Sequence, residues 1–208
     1  MNDGGRLGRA TRGHGAETRR EVQRVALELF TRRGFEATSL RQIADAVGIN
    51  KASLYYHFSS KEDILRSLFD ERGSEVEQLI EWVRTQPRSP ELLEVAVMRW
   101  VGSFSVDKLR GIRFLAANPL IARAANDAAG NRIGTQLRLL ADELTALLTS
   151  PDPEKKVLLR MSVLSINAAV QAAVGTDIDD EDIVSAAHTA AATLIRCVRP
   201  VADRPADA

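Results

Sequence analysis

Side chains that could do catalysis or bind metal are few in this sequence, and none of them cluster. His14, His57 and His188 stand far apart, and Cys197 is single. A lone cysteine can form neither an intramolecular disulfide nor a cysteine metal site, and Cys197 reads as a small, buried apolar residue near a helix end. No GxSxG elbow, phosphate-cradling glycine loop or HExxH pair is present. The sequence points away from an enzyme and calls for no cofactor. Hydrogen-bonding chemistry is better represented. From Thr38 to Lys61, in the stretch TSLRQIADAVGINKASLYYHFSSK, amide, ammonium, hydroxyl and imidazole groups recur within a few residues. Asn50, Lys51, Ser53, Tyr56 and His57 offer donors, acceptors, a cation and aromatic rings, a set suited to reading polar edges and gripping anions.

Two short helices must position them. Leu40, Ile43, Ala44 and Val47 fall three and four apart on one face, and Thr38 or Ser39 supplies the oxygen expected before a first turn. Gly48 follows, where a chain leaving a helix needs a left-handed conformation that costs glycine little. The spacing predicts a second helix over Asn50–Phe58, with Leu54 and Phe58 facing inward and the polar residues outward. This is the pattern of a helix-turn-helix, whose second helix enters the major groove of DNA. Lys51 is long enough to reach guanine acceptors there, Asn50 and Ser53 can bond to base edges, and Ala52 can lie against a thymine methyl.

Ala44, Gly48, Leu54 and the run Leu54-Tyr55-Tyr56-His57-Phe58 ending in Ser60-Lys61-Glu62 resemble the TetR family of bacterial transcriptional regulators. The resemblance covers roughly Thr18 to Leu68, about a quarter of the chain. It implies an all-helical fold: an N-terminal three-helix DNA-binding domain followed by a helical ligand-binding and dimerisation domain. It implies groove contacts by Asn50, Lys51, Ala52, Ser53 and Tyr55. Tyr56 and His57 look like phosphate ligands, with Thr38 or Ser39 and Lys61 gripping the backbone on either side. Ala52 departs from the glycine common at that position in the family.

The rest of the chain fits that plan. Formal charge is zero over the 208 residues, yet residues 1–60 hold ten Lys or Arg against six Asp or Glu, a balance of +4, leaving −4 on the remainder. A basic head on an acidic body suits a nucleic-acid partner. The expected organisation is a disordered basic tail over 1–15, the helix-turn-helix domain over 16–61, the helical domain over 62–199 and a second disordered tail over 200–208. Glu17–Arg33 reads as a helix capped by Gly34, with Phe35 folding back on Phe30. After Phe58, a capping box from Ser59 or Ser60 starts a long helix that tolerates Gly73. Further helices follow, two of them starting at Ser89-Pro90 and Asn118-Pro119, and the last two expected over 154–174 and 180–198. No apolar run reaches the roughly 18 residues of a membrane span, and the N-terminus lacks the apolar core of a signal peptide, so the expectation is a soluble, cytoplasmic protein.

The last two helices carry small inner faces: Val157, Met161, Leu164, Ala168 and Ala172 on one, Ile183, Ala187, Ala190 and Leu194 on the other. Small residues let helices approach closely, and the resemblance implies that these pair with a second copy in a four-helix bundle. It also implies a small-molecule effector within the body, for which Trp82, Met98, Trp100, Phe104, Phe114 and Ile121 are candidate lining. No cluster of charges stands out along the chain, so an apolar or amphipathic molecule is the expectation. The operator of such a dimer should be palindromic. A rival reading is a helical interaction module that controls a partner protein without reading DNA.

Overall fold

The structure, a computed structural model, describes residues 7–128, 132–148 and 152–198. Among them are eleven α-helices and no strand. The expected tail over 200–208 lies outside the described residues, as do residues 1–6. The chain divides into two compact units, the first through Leu68 and the second from Phe69.

In the first unit, α1 spans Leu7–Arg33, α2 Leu40–Val47 and α3 Lys51–His57, and α4, Lys61–Thr85, begins here. The expected tail is shorter than the composition suggested, because α1 starts at Leu7 rather than near Glu17. Propagation costs a formed helix little per residue, and Leu7, Ala10 and the arginines are good helix formers beside three glycines. Gly34 sits at φ 88° and donates to the Phe30 carbonyl at 3.0 Å, which swings Phe35 into an edge contact with Phe30, centroids 4.9 Å apart. At the end of α2, Gly48 at φ 78° lets the Ile49 N–H reach back to the Ala44 carbonyl, a Schellman ending. Ser39 caps α2 through a reciprocal pair with Gln42. The core consists of Val22, Ala26 and Phe30 from α1, Ile43 and Ala44 from α2, Leu54 and Phe58 around α3, and Ile64 and Leu65 from α4.

In the second unit, α4 continues to Thr85. It is joined by α5 Pro90–Val101, α6 Val106–Ala117, α7 Pro119–Ala128, α8 Arg132–Thr145, α9 Pro153–Val163, α10 Ser165–Ala172 and α11 Asp180–Val198. Ser89 caps α5 and a proline occupies its first turn, as it also does in α9 behind Asp152. The segment that starts at Asn118-Pro119 forms two helices, α7 and α8; Gly130 lies outside the described residues and Gly134 falls inside α8. Gly73 is more than a tolerated weak point: the stem of Arg132 passes 3.0 Å from where its Cβ would stand, on the way to an ion pair with Glu77 at 2.7 Å.

The segment expected to form one helix over 154–174 breaks at Leu164, which sits at φ −91°, ψ 3° between α9 and α10. Two hydrogen bonds, one local and one distant in sequence, explain it. The buried Ser162 hydroxyl donates to the Leu159 carbonyl at 2.7 Å, a back-bond that bends helices, and the Trp100 indole N–H donates to the Val163 carbonyl at 3.0 Å. The bend lets α11 pack against both α9 and α10, as well as α5 and α6. Ile183, Ala187, Ala191 and Ile195 of α11 are buried in that intrachain core. Cys197 is exposed instead of buried, because Ile195 and Val198 take the inward face at that end of α11.

Trp100→Phe keeps a ring but removes the N–H, and should lower the unfolding free energy by about 1–3 kcal/mol, the cost of stranding a buried carbonyl. Urea denaturation reads this directly. An unchanged midpoint would mean that the carbonyl is satisfied without the indole.

Candidate nucleic-acid interface

The seven residues of α3 carry the polar face. Asn50 is the cap rather than the first helical residue, its Oδ1 accepting from the Ser53 N–H at 2.8 Å while its amide N–H donors stay outward. Leu54 is fully buried and Phe58, which ends the helix, nearly so. These two anchors turn the opposite face out: Lys51, Ala52, Tyr55 and Tyr56 are exposed, Tyr56 at 86% and Tyr55 at 47%, while Ser53 and His57 are half-buried. Lys51 and Tyr55, four apart, present a cation–π pair with the ammonium 5.4 Å from the ring centre. Tyr55 is thus a surface residue of this domain. Tyr56 meets the His57 ring edge-on at 5.2 Å.

Arg19 of α1 fixes the far end of α3. Its guanidinium lies over the Phe58 ring at 4.3 Å and donates to the His57 carbonyl at 3.0 Å. Burial, and secondarily the Arg19 charge, push the His57 imidazole below its usual range, so it is neutral at pH 7 and offers one donor and one acceptor. Around the start of α4, Ser60 Oγ accepts from the Asp63 N–H at 3.0 Å, and the Asp63 carboxylate accepts from the Ser59 N–H at 2.9 Å. Burial disfavours charge on Asp63, but the Ser59 bonds and the Arg66 guanidinium outweigh it and hold the carboxyl below the usual carboxylate range.

Two residues expected on the phosphate-gripping rim do other work. Thr38 is buried, its hydroxyl donating to the Gly34 carbonyl at 2.8 Å, so the exposed hydroxyl at this rim is that of Ser39. The Lys61 ammonium donates to the carbonyls of Phe35 at 2.6 Å and Glu36 at 3.4 Å and lies 4.5 Å from the Phe35 ring centre. It braces the turn before α2, and two of its three donors are spent there. The sequence reading missed Gln23, whose buried amide donates to Ser67 Oγ at 2.9 Å and ties α1 to the first turns of α4. A buried polar pair 44 positions apart leaves no local signal.

Of the six pocket candidates, Trp100 alone lines the cleft of about 180 Å³ between α4 and α5, shared with Glu75, Gln78, Leu79, Arg99 and Ser103. Phe104 and Phe114 are buried, Trp82 and Met98 pack partly buried against the core, and Ile121 is half-buried. On the expected dimer face, Val157, Met161, Leu164, Ala168 and Ala172 are exposed, as is Ala190, and Leu194 is half-buried. Ile183 and Ala187 are not on it; a period of 3.6 turns them into the chain's own core. On the outward side of α11, Asp182, Ser185, Ala186, Thr189, Ala190 and Thr193 line an open groove with Leu194. Among the described residues no group of three or more His, Cys, Asp or Glu could hold a metal ion.

A capped three-residue turn between two short helices, with the second exposing a polar face, defines a helix-turn-helix protein. Residues 24–68 match the family of bacterial regulatory proteins, tetR family, so the likeness to that family rests on this unit. The regulator AcrR of Shigella flexneri is 33% identical over 85 residues, 40% of each chain. The transcriptional repressor KstR2 of Rhodococcus jostii is 42% identical over 66 residues, 30% of this chain and 32% of that one. The match thus spans less than half the length of either relative. A solved TetR-family transcriptional regulator from Agrobacterium tumefaciens shares the fold across both units, with a TM-score of 0.55 at 20% identity over 88% of this chain and 98% of that one.

Because the folded His57 binds its proton less readily than the unfolded one, acid favours unfolding. The first unit should lose stability as pH falls below about 6.5, with the loss complete once pH passes below the depressed folded value. His57→Gln should flatten that part of the profile in thermal melts; an unaltered profile would assign the loss elsewhere.

Proposed function

We propose that the protein is a DNA-binding transcriptional regulator that reads a palindromic operator as a homodimer through α3 and releases it when a small molecule binds the second unit. The observation that carries this reading is the outward face of α3, with Lys51, Tyr55 and Tyr56 exposed on a helix capped at both ends, in a segment that matches a family of regulators. Lys51, Ala52, Ser53, Tyr55 and the Asn50 amide contact bases or sugars. Tyr56 and a neutral His57 donate to phosphates, and Ser39 joins them when its hydroxyl leaves the Gln42 amide oxygen to which it donates at 3.0 Å. Phosphate contacts set register and base contacts set sequence.

One seven-residue helix makes too few contacts for specificity, whereas two related by a dimer axis read half-sites about 34–36 Å apart or a multiple of that. The apolar stripe of Val157, Met161 and Leu164, exposed at 57%, 50% and 42%, supports a second copy of this chain as the partner of α9 and α10. Repression is the direction suggested by relatives such as KstR2, which is named as a transcriptional repressor. The reading implies a cytoplasmic protein; among the described residues no helix is long and apolar enough to cross a membrane.

The test is selection of fragmented source-genome DNA on the purified protein, with sequencing of what is retained. Enrichment of a palindrome is the expected result, and retention no greater than that of a neutral dimer at any sequence would favour the partner-protein reading. On the selected operator, Lys51→Ala should weaken binding by about 1–3 kcal/mol and relax preference at one base position, with the dimer intact. Tyr56→Ala should weaken all sequences alike. In sedimentation, Met161→Glu should yield monomers that still melt cooperatively; a persistent dimer would move the interface off α9.

A further inference from the structure

The charged groups of the second unit gather where the sequence showed no cluster. Arg72 of α4 is mostly buried, its guanidinium 3.9 Å from the Phe104 ring centre and 4.4 Å from that of Trp100. It pairs with Glu75 through Nη1 and reaches Ser103 Oγ from Nη2 at 3.4 Å, while its Nε–H is buried with no partner. The other oxygen of Glu75 takes Lys108 at 2.8 Å, and that ammonium also donates to the Ser103 carbonyl at 2.9 Å. One carboxylate is therefore shared by two cations. Glu75, Trp100 and Ser103, all partners of Arg72, also line the cleft of about 180 Å³, and a third cation, Arg99, stands on its wall with its guanidinium 4.5 Å from the Trp82 ring centre.

We propose that this cleft binds a small organic carboxylate whose anionic end meets Arg99, Arg72 and Lys108 in exchange for Glu75, and whose flat apolar body lies between Trp100 and Leu79. Burial presses the Arg72 guanidinium down to about 10, against the pull of Glu75, so it keeps its charge at neutral pH. Arg72 and Lys108 do not line the cleft but stand behind Glu75 and Ser103, which do, so the anion reaches them as Glu75 moves aside. A desolvated guanidinium with an idle donor beside a second cation is matched by a planar two-oxygen anion better than by a neutral ligand. The volume, worth roughly six waters at about 30 Å³ each, suits a single small ring or short chain, or the head of a longer acid. Gln78 adds an amide donor. The arrangement narrows the apolar or amphipathic effector expected from sequence to one with an acidic end. Binding itself stands on the geometry alone; that the bound acid is the effector rests on the regulator reading above.

Titration calorimetry of the full chain with benzoate, and with benzamide as the neutral isostere, tests the site without DNA. Benzoate should bind at one site per chain at least tenfold more tightly than benzamide. Glu75→Gln, which removes the competing carboxylate, should tighten benzoate binding several-fold, and Arg72→Met should abolish it. Should Arg72→Met fail to fold, the exposed Arg99→Gln, expected to weaken benzoate several-fold, decides in its place. No benzoate binding, equal binding of the two probes, or indifference to Glu75→Gln and Arg99→Gln overturns the proposal. A protein that binds benzoate yet selects no palindrome keeps this site and loses the regulator reading; one that selects a palindrome yet ignores benzoate does the reverse.

Discussion

Everything on the polar face depends on a helix too short to hold itself. Isolated helices under about 12–15 residues are marginal in water, and α3 has seven. Its shape is imposed from outside. Leu54 and Phe58 seat it in the small core, the Asn50 side chain satisfies an N–H at its start, and Arg19 takes the His57 carbonyl at its end while covering Phe58. Two apolar anchors four residues apart fix the rotation about the helix axis. That rotation decides that Lys51, Ala52, Tyr55 and Tyr56 face outward together.

The same economy runs through the turns. Left-handed glycines at 34 and 48 end α1 and α2, and each returns the following residue to the core or to a backbone carbonyl. Thr38 and Lys61, polar residues beside a polar face, are spent on carbonyls of the α1–α2 turn. A buried carbonyl without a donor costs more than an exposed side chain gains at the surface, so polar groups near such a turn are drawn inward. This is why the rim is thinner than the sequence suggested.

Periodicity made the helices legible, and glycine and serine marked their ends. Gly34, Gly48, Ser89 and the start of α11 at Asp180 stand where spacing put them. What was not legible depended on partners distant in the chain. The bend at Leu164 needs the Trp100 indole 63 positions from the carbonyl it meets, and the Gln23–Ser67 bond spans 44. For α11, Ile183 and Ala187 read as part of a face that pairs with a second copy because small residues suit a close interface, yet small residues suit an intrachain core equally; only the neighbouring helices α9 and α10 decide between them. The charges of Arg72, Glu75, Arg99 and Lys108 were invisible as a group for the same reason. Exposed faces such as that of α3 were easier, since they follow from local periodicity once two anchors are known.

Helix α4 belongs to both units and gives the two proposals a common element. Its early turns are tied within the first unit by the Asp63 cap and the Gln23–Ser67 bond, and five residues beyond Ser67 it carries Arg72, around which the second unit's polar cluster forms. A ligand can change DNA affinity only by binding the DNA-competent and DNA-incompetent states unequally, and DNA must then change ligand affinity by the same factor. A purely apolar molecule filling a packed core has little to distinguish two states that keep the core intact. An anion that draws Glu75 away from Arg72 alters a charge pair on α4 itself, and that exchange has a free energy sensitive to where α4 lies. On the proposed function, the polar cluster is a better source of coupling than the aromatic core around it, because its hydrogen bonds depend steeply on angle and distance while apolar contacts slide.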